Sequence, residues 1–346
     1  MSDFRQLEVR HIHRETPSAV SVEFNVPEAL QPSFSFKAGQ YVTLKTELNG
    51  EEVRRAYSLC TAPKENKLRV AIKEVDGGLF STYANRELTE GIVLDVHSPE
   101  GNFVYTPSTH AGAVALFAAG SGITPMMSIL KTALDYGNTV ALLYGNKSPE
   151  ETIFHDELIA LTEKYPNFYL KFAYSQARAE NALPGRIDST AVNYVVKNQM
   201  KDADFKHFYI CGPEAMIKTV SETLENNGIS KDAIYFELFT SSSETNEEAA
   251  AVSGKSTISI TVDDEDFTFD MDASESILDA ALKQKIDAPY SCQGGICSSC
   301  ICRVTEGKAI MEKNQILTDS ELEEGMILAC QAHPTTATIK VDFDDI

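Results

Sequence analysis

The chain has 346 residues, 43% hydrophobic and 23% charged, which is long for one domain and suits two or three. Its formal net charge of −21 argues against a nucleic-acid backbone as partner and permits steering toward a basic protein surface. No run of about 18 apolar residues is present, and the opening MSDFRQLEVRHIHRE lacks an apolar secretory core. A cytoplasmic protein with no membrane partner is the expectation, and in a reducing compartment clustered cysteines hold metal or do redox chemistry more often than they form disulfides.

Residues 1–108 read as short alternating strands. YVTLKTEL, RRAYSLC and KLRVAIKEV carry period-2 patterning with turn residues between them, which predicts a small antiparallel barrel or sandwich of about six strands. Within it, Arg55, Tyr57 and Ser58 form an R-x-Y-S motif in which Arg55 and Tyr57 share a strand face. A guanidinium can clamp a phosphate and a tyrosine ring can stack on a flat heterocycle. DGGLFSTY adds backbone N–H groups at Gly78 and a hydroxyl at Ser81. In isolation these residues read better as an ordinary amphipathic edge strand.

From 109 to 240 the pattern changes. AVALFAAG, TVALLYG, FYLKFAYS and HFYICG are apolar runs ending in small or polar residues, with helical stretches between them. Strand alternating with helix predicts a parallel sheet in an α/β domain. ALFAAGSGITPMMSIL is a strand, a glycine turn at Gly120 and Gly122, and a helix opened by Thr124 and Pro125, a combination suited to a pyrophosphate. The spacing is G-x-G alone, so a ligand-free glycine turn has the same appearance. FYICGPEAMI supplies a second strand end at Cys211, and two such ends on one parallel sheet mark the edge where α/β folds bind ligands.

SSSETNEEAAAVSGKS, residues 241–256, has almost no large apolar residue and reads as a flexible linker. Residues 257–346 then carry Cys292, Cys297 and Cys300 in C-x4-C-x2-C spacing, with Cys330 following after 29 residues. This is the plant-type [2Fe–2S] pattern. Two irons and two sulfides need four thiolates from a tight loop and one distant segment, and Gly294 and Gly295 let the backbone wrap closely. Zinc ribbons prefer paired C-x2-C knuckles, of which only one fits. Cys302 reads as an inward-pointing strand residue. The segment holds 18 acidic and 6 basic residues, a net charge of −12, which serves solubility or docking.

With these motifs in hand, residues 257–346 resemble a plant-type ferredoxin, an α+β, β-grasp-like fold. Residues 1–240 resemble the ferredoxin–NADP reductase superfamily through GQYV at 39–42, RAYS at 55–58, GGLFST at 77–82, SPEGNF at 98–103, GSGITP at 120–125, YGN at 144–146, CGP at 211–213 and YFELF at 235–239. The whole layout resembles the reductase components of multicomponent oxygenases. The resemblance implies Arg55 on the flavin diphosphate, Tyr57 and Ser58 on the isoalloxazine and ribityl chain, and Tyr41 and Lys73 near the flavin. It implies Gly78 and Ser81 at the pyrophosphate, and Gly120, Gly122, Thr124 and Pro125 at the nicotinamide nucleotide. Cys211 would lie by the nicotinamide, with Glu237 and Phe239 at the flavin. FAD is expected ahead of FMN, and Cys292, Cys297, Cys300 and Cys330 are the implied cluster ligands.

The implied path runs from NADPH or NADH through the flavin and cluster to an oxygenase component, or another acceptor, with a basic docking face. A stand-alone diaphorase and a non-turnover redox-sensing or carrier module are the alternatives. One departure concerns the coenzyme. NADP-selective relatives often show S-R-E after the third strand of the sheet, and here Ser175 is followed by Gln176, leaving Arg178, Lys147 and Arg186 as the cations at hand.

Overall fold

A computed structural model describes residues 4–110, 112–239, 254–314 and 316–346. Most of the expected linker, 241–253, lies outside the described residues. The chain divides into two compact units.

The first unit begins with β1 (Phe4–Thr16) and β2 (Ala19–Asn25), which pair antiparallel across a tight turn at Pro17 and Ser18. β3 (Tyr41–Leu48), β4 (Glu51–Ser58), β5 (Leu68–Lys73) and β6 (Val93–His97) complete a sheet ordered β4-β3-β6-β1-β2-β5. A bridge from Leu59 to Val70 joins its two ends and closes the barrel. The inward residues Leu7, Val9, Val22, Leu44, Val70, Ile72 and Leu94 are buried, each stabilising the fold by about 1.5–3 kcal/mol relative to exposure. A short helix, α1 (Leu79–Arg86), follows β5 and packs Phe80 into this core.

β7 (Ala113–Ala119), α2 (Ile123–Asp135), β8 (Val140–Asn146), α3 (His155–Lys164), β9 (Phe168–Tyr174) and β10 (Leu183–Pro184) then alternate. After α4 (Ser189–Asn193) come β11 (Phe205–Cys211), α5 (Glu214–Asn226) and β12 (Ile234–Glu237). The sheet order is β10-β9-β8-β7-β11-β12 with every pair parallel. Strands are added in one direction through β10 and in the other from β11, so the order reverses between β7 and β11. α2 is buried nearly throughout, and its core is continuous with Ala38, Cys60, Ala71, Phe103 and Tyr105 of the barrel segment. Ser128 on α2 donates to the Thr61 carbonyl at 2.6 Å. Arg69 of β5 meets Glu157 of α3 at 2.9 Å, and Lys131 of α2 meets the same carboxylate.

In the second unit, β13 (Lys255–Val262), β14 (Glu265–Asp272), β15 (Ile301–Glu306), β17 (Met326–Leu328) and β19 (Thr338–Asp342) form a mixed sheet ordered β14-β13-β19-β15-β17. β16 (Ala309–Met311) and β18 (Ala332–Pro334) pair separately. Helix α6 (Ile277–Lys283) starts where the Ser276 hydroxyl accepts the Asp279 N–H at 3.1 Å, and it buries Ile277, Leu278, Ala280 and Ala281. A one-turn helix, α7 (Asp319–Glu323), carries a capping box between Thr318 and Glu321. This is the expected α+β arrangement. Cys302, on β15, is fully buried in the core, and burial pushes its thiol far up.

Candidate functional site

The reversal in strand order brings the carboxyl ends of β7 and β11 side by side, with Cys211 paired to Ala118. Open α/β sheets bind their ligands at such a switch point. The glycine turn after β7 presses directly on the end of β11. A Cβ on Gly122 would stand 2.1 Å from the Cys211 carbonyl oxygen, so no other residue fits without moving backbone. Gly120 has φ +55, and its carbonyl accepts the Tyr144 hydroxyl at 2.9 Å. Thr124 and Pro125 are buried within α2, and the Thr124 hydroxyl donates to the Ser121 carbonyl at 3.1 Å. They shape the turn from beneath.

β12 lies beyond β11, and Cys211 pairs with Glu237. Burial pushes the Glu237 carboxyl up to about 8, against a hydrogen bond with Ser58 that draws it back down. Its Oε2 is buried without a partner. The Cys211 thiol is raised too, first by burial and then by the nearby Glu237 charge. Ser58, Cys211 and Glu237 thus converge from β4, β11 and β12. Phe239 follows Glu237 by two residues and packs, partly buried, against the α2 core.

On the barrel, Tyr57 is half-buried with its ring 5.6 Å from that of Phe80. Arg55 is exposed, and its Nη1 donates to the Arg54 carbonyl. Gly78 precedes α1, and a Cβ there would meet the Ser81 hydroxyl oxygen at 2.5 Å. That hydroxyl donates to the Gly78 carbonyl and accepts the Val75 N–H, so it holds the turn at the start of α1. A cavity of about 270 Å³ opens there, lined by Asn49, Gly77, Gly78, Thr82, Tyr83 and Glu87 among others. Asn49 and Thr82 escaped the sequence reading. Thr82 stood in the GGLFST motif, whereas Asn49 offered only a turn signal. Lys73 directs its amine toward Glu151 at 3.8 Å, and Tyr41 is buried with its ring against Gly101.

In the second unit, Cys292, Cys297, Cys300 and Cys330 lie together, and all seven cysteines are free thiols. Among the described residues no three metal-ligating side chains close on one ion. The thiols instead face one another in twos. A hydrogen bond from Cys297 lowers Cys292 to about 6 and correspondingly raises Cys297, while Cys300 is raised and Cys330 lowered by their mutual bond. Two adjacent thiol pairs suit two bridged irons rather than one tetrahedral zinc. The Gly294 N–H donates to the Cys292 sulfur at 3.3 Å. Gly295 has φ +73, and a Cβ there would meet Gln331 at 2.9 Å. Ser291 Oγ is buried without a partner beside this loop. The donor set, the glycine cradle and the orphaned hydroxyl fit a [2Fe–2S] cluster held by these four cysteines.

Three family descriptions match the chain in turn: an oxidoreductase FAD-binding domain over 6–105, an oxidoreductase NAD-binding domain over 116–222 and a 2Fe-2S iron-sulfur cluster binding domain over 260–335. The chain is 37% identical to one of the subunits of 1,2-phenylacetyl-CoA epoxidase from Escherichia coli (strain K12), over 99% of both chains. It is 33% identical to the ferredoxin reductase component of 3-ketosteroid-9-alpha-monooxygenase from Rhodococcus rhodochrous, over 97% of this chain and 96% of the relative. The solved structure of phthalate dioxygenase reductase matches with a TM-score of 0.65 at 26% identity, over 98% of each chain. No helix among the described residues is long and apolar enough to cross a membrane. With a flavin-domain barrel, a nucleotide-domain sheet and a four-thiol loop in one chain, this protein belongs to the family of NAD(P)H-dependent, FAD- and [2Fe–2S]-containing reductase components of oxygenases.

Proposed function

We propose that this chain delivers electrons from NAD(P)H to an oxygenase of the phenylacetyl-CoA epoxidase kind. The observation that carries the reading is the buried Glu237 carboxyl, set with Ser58 and Cys211 at the switch point where the glycine turn meets β11. When bound, the flavin takes a hydride and gives up electrons singly, and the cluster carries one at a time.

The chain's own residues supply placement and proton control. Gly120 and Gly122 open the turn to a nucleotide, with Thr124 and Pro125 fixing its shape. Cys211 brings a small apolar surface to the nicotinamide. Glu237, neutral at pH 7, holds a proton in a dry site without introducing a charge, and Ser58 orients that carboxyl. Tyr57 and Phe239 offer rings to the isoalloxazine, Tyr41 and Lys73 form its outer surroundings, and Arg55, Gly78 and Ser81 serve the diphosphate. Cys292, Cys297, Cys300 and Cys330 bind the cluster. We place the domains at 1–108, 109–240 and 257–346, with FAD as the flavin. We place the protein in the cytoplasm, where thiols stay reduced.

The net charge of −12 beyond residue 256 suits a basic docking face on the oxygenase. Reduction of the purified epoxidase oxygenase by the loaded chain should fall about tenfold between low salt and 0.3 M, as screening shortens. Ferricyanide reduction, which needs no docking, should change less than twofold. A partner rate flat with salt would reduce the acidity to a solubility feature, and no reduction of that oxygenase at any salt would overturn the assignment of partner.

A further inference from the structure

We propose that Gln331 is a positioning residue that tunes the [2Fe–2S] cluster, holding its potential up by donating toward the Cys330 sulfur and by locking the loop that carries the other three thiols. The inference concerns the cluster itself and stands whichever oxygenase receives the electron.

Gln331 follows the distant ligand Cys330 and is only 8% exposed, a depth at which an amide needs partners. Its backbone is fixed on both sides. The N–H donates to the Leu328 carbonyl at 2.9 Å, and the carbonyl accepts the Glu312 N–H at 2.8 Å. The side chain is therefore aimed by a rigid base. Its Nε2 donates to the Cys330 carbonyl at 2.9 Å, to the Gln293 carbonyl at 3.2 Å and toward the Cys330 sulfur at 3.7 Å. Turning the amide over would press its oxygen on two carbonyl oxygens, so the donor end faces the cluster residues.

The acceptor on the loop is itself strained. Gln293 lies between Cys292 and the two glycines with φ +53, in the left-handed region that residues with a Cβ seldom adopt. The Gln331 amide ties down the carbonyl of that residue across 38 positions of sequence. Gly295 makes the tie possible. A Cβ there would stand 2.9 Å from the Gln331 Cγ, so the glutamine lies directly across the loop. One side chain thus joins the segment bearing Cys330 to the loop bearing Cys292, Cys297 and Cys300. The same loop presents the Gly294 N–H to the Cys292 sulfur at 3.3 Å.

The consequence is electrostatic. Adding one electron to a cluster held by four thiolates increases the negative charge on its sulfurs. An N–H dipole aimed at a sulfur favours that charge, and so does a loop held with its N–H groups inward. A buried amide does both without adding a charge of its own. An apolar side chain of the same size would fill the space and supply no dipole.

The test uses the full chain loaded with flavin and cluster, titrated with reductant while the cluster is followed by electron paramagnetic resonance. Gln331→Met keeps the unbranched shape and removes both donors. It should shift the equilibrium toward the oxidised cluster about tenfold, a midpoint about 59 mV lower for one electron. Gln331→Leu should shift it in the same direction. Iron content and melting temperature read any structural loss separately, and packing alone predicts no change of midpoint in the variant molecules that keep their iron. A midpoint unchanged in both variants, or raised in either, would overturn the tuning role. If the methionine variant assembles no cluster, the leucine variant decides. Loss of the cluster from both would overturn the proposal too, since Gln331 would then serve assembly rather than potential.

Discussion

Cys211 ends a strand and Cys292 lies in a loop, and the protein treats the two thiols in opposite ways. Cys211 closes β11 in a dry corner where burial and a neighbouring carboxyl keep it protonated. Cys292 sits in a glycine-rich loop where a second thiol and backbone N–H groups draw its proton off, down to about 6. The first corner suppresses charge around a carboxyl that is itself neutral at pH 7. The second pairs its thiols so that Cys292 and Cys330 are drawn down while Cys297 and Cys300 are held up, two thiolates ready at once and two that metal ligation must deprotonate. A hydride acceptor and a one-electron carrier need these contrasting surroundings, and the chain keeps them in separate units.

Removing a thiol should break the contrast most completely. Cys297→Ser should abolish the iron–sulfur absorbance and all reduction of the oxygenase, while NAD(P)H-to-ferricyanide turnover stays within about twofold of wild type, since the reductase unit keeps every one of its residues. Loss of ferricyanide turnover with flavin still bound would place the cluster upstream of the flavin and reverse the order of transfer.

A smaller change is expected at the dry corner. Gly122→Ala puts a methyl 2.1 Å from the Cys211 carbonyl oxygen, a backbone atom that cannot swing aside. The cost should be about 3 kcal/mol, lowering the melting temperature by ~8 °C, with a several-fold higher KM for NAD(P)H. Wild-type stability would mean that the two strand ends move apart easily.

The smallest effect sharpens the comparison through pH. Glu237 binds its proton in the native state up to about pH 8 but releases it near its ordinary value once unfolded. The native state thus holds the extra proton between those values, and stability falls as pH rises through that window. From pH 6 to 8 the wild-type melting temperature should drop by ~5 °C more than that of Glu237→Gln, whose amide cannot ionise. The variant should also lose any alkaline limb near pH 8 in its ferricyanide turnover. Parallel melting curves for the two proteins would show Glu237 ionised at neutral pH.

The two regions also differed in how far they could be read from residues alone. The cluster thiols were legible because ligation dictates residue identity at nearly fixed spacing, and the alternation of YVTLKTEL and KLRVAIKEV likewise dictated strands β3 and β5. The nucleotide edge is built largely from backbone, so G-x-G at 120–122 was ambiguous until Gly122 was seen against Cys211. Hydroxyl directions were not legible: those of Ser81 and Thr124 turn inward to hold their own loops. Nor were long-range pairings. That Lys73 meets Glu151, or that Arg69 meets Glu157, depends on chain segments that only the tertiary fold brings together.

The continuous core beneath the barrel and the parallel sheet bears on how such proteins are assembled by recombination. Ala38, Phe103 and Tyr105 share their packing with α2, and Ser128 is bonded to the Thr61 carbonyl in the same interior. A crossover placed near residue 108 would join two half-cores not shaped to pack on each other, whereas Phe4–Val53 and Tyr57–Phe239 hold together as one compact unit. Exchange is tolerable at the other junction, where each unit keeps its own hydrophobic interior, and a lineage can thereby acquire a new electron outlet without rebuilding its inlet.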